Sequence, residues 1–146
     1  LRYAQRAVAY HAARGDWKSA LADLDKALTL EPRHEDDVVY RLLAAVVAQR
    51  SGGGAASRVA AMVAASPPLF IDRIVRLLHG KLPFAQLDKA TSQPPNRCTL
   101  LLAAGLQAEL VADTSGAKRY YASAAELHER DDITCDMAAI AARSLK

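Results

Sequence analysis

The sequence predicts an all-α protein, built from stacked helical hairpins with an irregular helical segment in the middle and a closing helix. Three observations carry that prediction. The first is composition. Apolar residues make up 51% of the chain and aromatics only 5%, and alanine is abundant. Small side chains let helix backbones approach closely, whereas a β-sandwich draws on β-branched and aromatic residues. The second is a spacing. A pair of small or slim residues twelve positions apart recurs three times, as Val8 and Ala20, Ala44 and Ala56, and Gly105 and Ala117. An apolar residue follows each second member after four positions (Leu24, Ala60, Tyr121) and again after seven (Ala27, Val63, Ala124). The third is punctuation, with glycine, aspartate and proline falling between the periodic segments.

Taken in order, the first hairpin covers residues 1–34, with helices near 2–14 and 17–30. Gly15 opens its turn, Asp16 can cap the second helix, and Pro32 ends it. The second hairpin covers about 36–66, with helices near 36–50 and 54–65 around the turn Ser51-Gly52-Gly53-Gly54. Pro67-Pro68 stops it. Residues 67–96 break the rhythm. Leu69 to His79 reads as a helix apolar on much of its circumference, Gly80 ends it, and Pro83 to Ala90 suggests a second short helix. Gln93-Pro94-Pro95-Asn96 reads as a loop. This segment is either a drifted repeat or an inserted element beside the hairpins. The third hairpin covers about 97–130, with helices near 97–112 and 115–129. A last helix, about 132–145, restarts the pattern with Cys135, Ala138, Ala139 and Ala142 and suits an end cap. Arg143 and Lys146 sit where a helix C-terminus favours positive charge.

The 146 residues suffice for one domain with a real core. The net charge of +3 is a mild basic bias. Lysines and arginines are spread out without runs or aromatic interleaving, so nucleic-acid binding is not indicated. No apolar stretch approaches the ~20 residues a membrane span needs. The chain begins at Leu1 and shows no signal peptide, and it reads as a trimmed piece of a longer protein. Cys98 and Cys135 form no metal-ligand cluster. They are either two buried thiols on adjacent helices or, in an oxidising compartment, one disulfide.

No motif points to catalysis, a cofactor or a metal. His34 precedes Glu35-Asp36-Asp37, a cluster that suits a solvated helix start more readily than a divalent ion. His11 occupies a packing position. His128 and Cys135 lack the spacing of a zinc site. The glycine-rich turn at 51–54 lacks the lysine and preceding strand of a phosphate loop. The expectation is a non-enzymatic protein.

Gly15, Trp17, Ala20, Leu24, Ala27 and Pro32 stand in the order of the second-helix signature of the tetratricopeptide (TPR) repeat, and the chain resembles that family over most of its length. The match is good in 1–34, fair in 98–131 and weak in 36–66. Ala4, Ala7 and Val8 depart from the family's first-helix pattern. The middle segment, GKLPFAQLDKA near 80–90, also looks loosely like some bacterial envelope TPR lipoproteins that act as adaptors. The localisation stays open between a bacterial cytoplasm and a periplasm, and that likeness does not decide it. The resemblance implies a right-handed α-solenoid whose first helices line a concave face, where an extended peptide or partner helix docks. The expected function is therefore a protein- or peptide-binding scaffold or adaptor. The alternative is a regulatory or oligomerisation segment of a larger enzyme or signalling protein.

Helical geometry names the side chains such a groove would show. The first hairpin offers Arg2, Gln5, Ala9 and Ala12, with Arg6 near the edge. The second offers Val38, Arg41, Ala45 and Ala48, and the third Thr99, Leu102, Leu106 and Glu109. Arg2 and Arg41 can fork onto a carboxylate, or they stay solvated or pair with Glu35, Asp36 or Asp37. Gln5 and Ala9 stand where some TPR domains carry a lysine–asparagine carboxylate clamp, so that clamp is absent. Leu102, Leu106 and Leu110 form a stripe on a helix whose other face is also apolar. Something must cover them: the helix at 69–79, a second copy in a homodimer, or a ligand peptide.

Overall fold

In the computed structural model the described residues are 2–30, 34–52, 54–62, 78, 94–127 and 133–145. All their regular structure is helical, and among the described residues there is no strand. Contacts divide the chain into two compact units, Leu1–Ala65 and Ser66–Lys146.

The first unit begins with a rod made of three helical types in succession. α1 (Arg2–Arg6) runs into a π-helical turn (Ala7–His11) and then a 3-10 turn (Ala12–Arg14). The wide turn forms because the Ala12 amide reaches back to the carbonyl of Ala7 as well as that of Val8. Ala4, Ala7, Val8 and Ala12 are buried along one side. Ala12 therefore corrects the expected groove. A regular period would bring it round to the open face, but the extra residue in the wide turn holds it on the packing face. Gly15, in the left-handed region at φ 76°, ends the rod. Its amide donates to the Ala12 carbonyl and that of Asp16 to the His11 carbonyl, the paired bonds of a Schellman cap. Asp16 then accepts from the Ser19 amide at 3.2 Å and starts α2 (Trp17–Leu30). The sequence expectation for this helix matches its bounds.

α2 packs on the first rod and on α3 (His34–Arg50), and α3 packs on α4 (Ala55–Ala61). Every residue from Leu42 to Ala48 is buried. α4 is shorter than expected and faces differently. Ala55, Val59 and Met62 are buried, while Ala56 and Ala60, the expected packing residues, are exposed. Val59 and Met62 bury more apolar surface than alanines would, which favours this facing. Arg58 forks onto Asp25 of α2 at 2.9 and 3.0 Å.

The second unit contains α5 (Pro94–Leu110), α6 (Thr114–Glu126) and α7 (Ile133–Ser144), each in contact with the other two. Pro94–Asn96, expected in a loop, form the first turn of α5. Proline suits that position, where its missing N–H has no intrahelical partner to lose. Gly105 and Ala117 are both buried, as the spacing predicts. The α5–α6 turn repeats the device of the first. The amide of Ala112, at φ 63°, donates to Glu109, and that of Asp113 to Ala108. Asp113 then accepts from the Gly116 amide at 2.9 Å. Cys98 of α5 and Cys135 of α7 are joined as a disulfide, which decides between the two states open to them. Thr99 donates to Thr134 across the same helices at 3.4 Å.

Most of the irregular segment expected at 67–96 lies outside the described residues. Leu78 within it is helical and buried.

Candidate partner-binding surface

The open side of the first rod presents Gln5, Arg6, Ala9, Tyr10, Ala13 and Arg14. Tyr10 is the notable one, because a large side chain 53% exposed keeps apolar surface in water. Its ring is held in place from two sides. The Arg14 guanidinium lies 3.9 Å from the ring centroid while its Nη1 donates to the Tyr10 carbonyl at 2.9 Å. His11 meets the ring edge-on at 5.2 Å. Nearer the start of the rod, Arg6 and Lys26 lie 5.4 and 5.6 Å from the Tyr3 ring. Tyrosine and arginine are the residue types that anchor protein interfaces.

Behind this face sits a carboxylate that sequence reasoning missed. Asp23 of α2 is buried and takes a forked pair of bonds from Arg6, from Nε at 2.7 Å and Nη2 at 2.8 Å. His11 Nε2 lies 3.3 Å from the same carboxylate, and Asp16 lies 3.7 Å from His11 Nδ1. The Arg6 bonds hold the Asp23 carboxyl below the usual carboxylate range, against the opposing effect of burial. Asp23 falls between Ala20 and Leu24 on the face that packs against the rod. An acid on that face was the signal that a cation had to reach it from the first helix.

The expected groove residues separate into three kinds. Gln5 is exposed as expected, and Arg2 lies in the rod with its side chain outside the described residues. Arg6 is engaged by Asp23, and Arg41 is half-buried on α3. Glu109 is half-buried and accepts from the Tyr121 hydroxyl at 2.6 Å. Ala45, Ala48, Leu102 and Leu106 are buried, and Thr99 is buried against Thr134. These five correct the expectation, since buried side chains offer a partner no surface. Leu102 and Leu106 are covered within the single chain, so no second copy is needed for them. Ala9 is exposed, and the side chain of Val38 lies outside the described residues.

No family model, curated protein or solved structure gives a significant match to this chain. What can be said of function therefore rests on its own residues. Among the described residues no group of three or more His, Cys, Asp or Glu could hold a metal ion. None of their helices is long and apolar enough to cross a membrane.

Proposed function

We propose that the chain is a non-catalytic docking module, a stack of TPR-like hairpins that binds a protein or peptide partner. The observation that carries the reading is Tyr10, an exposed aromatic pinned by Arg14 on the open side of a first helix. A side chain already fixed in place loses little conformational freedom on binding. The repeat reading draws support from the two turns. Gly15-Asp16 and Ala112-Asp113 use the same double-bonded helix end followed by the same aspartate cap. Small residues follow each cap at matching positions, Ala20 and Ala27 in one helix and Ala117 and Ala124 in the other, all buried. Of the two compartments considered, the Cys98–Cys135 bond favours the oxidising one.

The test is a quantitative capture from native extract with the 146-residue chain and with a Tyr10→Ala/Arg14→Ala variant. The reading expects specific proteins whose recovery falls at least tenfold with the variant while its helical content and melting temperature hold. Recovery that is the same with both chains would refute the placement of the site on this face.

A further inference from the structure

The docking face has a charge pattern that selects what binds there. The first fifteen residues carry three arginines, Arg2, Arg6 and Arg14, and no aspartate or glutamate. Two arginines of the first unit fork onto carboxylates of α2 inside the chain, Arg6 onto Asp23 and Arg58 onto Asp25. Arg14 is held differently. Its guanidinium lies over the Tyr10 ring, 3.9 Å from the centroid, and its Nη1 donates to the Tyr10 carbonyl at 2.9 Å. The next acids along the chain are engaged elsewhere. Asp16 accepts from the Ser19 amide and faces His11, and Asp23 is taken by Arg6. Among the described residues no carboxylate pairs with Arg14.

A guanidinium stays charged at any ordinary pH and carries its N–H donors in its own plane. The ring occupies the face of the Arg14 guanidinium and the carbonyl takes one donor, which leaves the other donors at an exposed edge. Two such donors side by side match the two oxygens of a carboxylate. The ring also fixes the guanidinium before a partner arrives, so little side-chain freedom is lost when one binds. Apolar surface lies beside the charge. Tyr10 is 53% exposed, and Ala9 and Ala13, which precede Tyr10 and Arg14 in sequence, are exposed with it. Their short side chains let a partner backbone come close. A single fork answers the single charge of a carboxylate, whereas a phosphate, with about twice the charge and three acceptor oxygens, draws on more donors.

We propose that Tyr10 and Arg14 bind an acidic peptide segment of a partner protein, with one carboxylate on the outer edge of the Arg14 guanidinium and a neighbouring apolar side chain against Tyr10, Ala9 and Ala13. The proposal rests on the docking reading above and names the chemistry of the partner at that same site.

Fluorescence polarisation with the 146-residue chain tests it. The probe is a labelled, end-blocked octapeptide of alternating glutamate and leucine, beside the same peptide with glutamine for glutamate. The expected result is saturable binding of the acidic peptide, at least tenfold weaker for the glutamine peptide. Arg14→Gln should weaken it tenfold or more. Arg14→Lys, which keeps the charge and loses the planar fork, should weaken it at least threefold, and raised salt should weaken it further. Arg119→Gln, at an exposed position in the second unit, should leave affinity within twofold. Equal binding of the two peptides, or unchanged binding by folded Arg14→Gln, overturns the proposal. So does displacement by inorganic phosphate at concentrations equal to the peptide's, which would mean a site for any anion. If Arg14→Gln fails to fold, the comparison of the two peptides on the parent chain decides alone. The two readings fail separately. Equal capture by the parent and by Tyr10→Ala/Arg14→Ala removes the docking face itself. Capture that falls with that variant, beside peptides that bind alike, keeps the face and removes the acidic partner.

Discussion

Gly105 lies directly beneath the ring of Tyr121, so close that a methyl group on Gly105 would overlap the ring atoms. The ring cannot simply swing away. Tyr121 is fully buried, and its hydroxyl donates to Glu109 Oε2 at 2.6 Å, one turn along α5 from Gly105. The glycine is what lets α5 and α6 approach, and the tyrosine fills the space it leaves. Gly105→Ala should therefore lower stability by roughly 1–3 kcal/mol, the usual penalty of overpacking a closed site, despite alanine's better helix propensity. Denaturant unfolding monitored by circular dichroism reads this directly. A Gly105→Ala chain as stable as the parent would show that the two helices can move apart at no cost.

Ala112 makes the opposite prediction. It ends α5 in the left-handed region at φ 63°, the conformation that Gly15 supplies freely at the equivalent turn. An L-residue with a Cβ is disfavoured there by roughly 1–2 kcal/mol. Ala112 is exposed, so a glycine there forfeits little burial. Ala112→Gly should raise stability by up to about 1 kcal/mol, the unfolded chain's added freedom offsetting part of the gain. The same unfolding measurement checks it, and a fall in stability would mean that the turn does not hold this geometry.

These two turns also show how far the sequence can be read. Gly15-Asp16 is legible because glycine and aspartate do there what only a few residues do well. Ala112-Asp113 keeps the cap but hides the left-handed residue behind an alanine. The twelve-residue spacing finds true packing residues at Val8 and Ala20 and at Gly105 and Ala117. It misplaces the inward face at Ala56, because alanine tolerates either side of a helix and the larger Val59 and Met62 decide the facing. The wide turn at Ala7–His11 has no sequence signature, so a regular helical period places Ala12 on the open side. The groove was least legible on α5. Leu102 and Leu106 sit on a helix that is apolar all round, and periodicity cannot say which neighbour covers each side. Arg6 and Asp23, seventeen residues apart on different helices, meet only once the rod and α2 are packed.

That meeting sets an acid limit. The carboxyl of Asp23 is held below its ordinary value by the forked bonds from Arg6. A carboxyl lowered in the folded state stabilises it above the unfolded value, near 3.9. The contribution fades as pH falls through the folded value. Melting temperature measured from pH 7 down to pH 2 should drop steeply below about pH 4 for the parent chain. Asp23→Asn should melt lower at neutral pH and lose less on acidification, so the two curves converge. Curves that stay parallel throughout would remove Asp23 from the acid response.

The disulfide makes the largest prediction. Cys98 and Cys135 close a loop of sequence separation 37, and both are buried where α5 meets α7. In the chain-entropy model a cross-link of that span removes about 4 kcal/mol of freedom from the unfolded state. Thr99 also donates to Thr134 across these helices, but at 3.4 Å the bond is too long to replace it. Cys98→Ala/Cys135→Ala should therefore destabilise the second unit by about 3–4 kcal/mol, and reductant should do the same to the parent. Hydrogen exchange adds the location, with protection lost first in Ile133–Ser144 while Trp17–Leu30 in the first unit holds. A reduced chain that keeps its melting temperature and its α7 protection would show that packing around Met137 and Ala141, both fully buried, suffices without the bond.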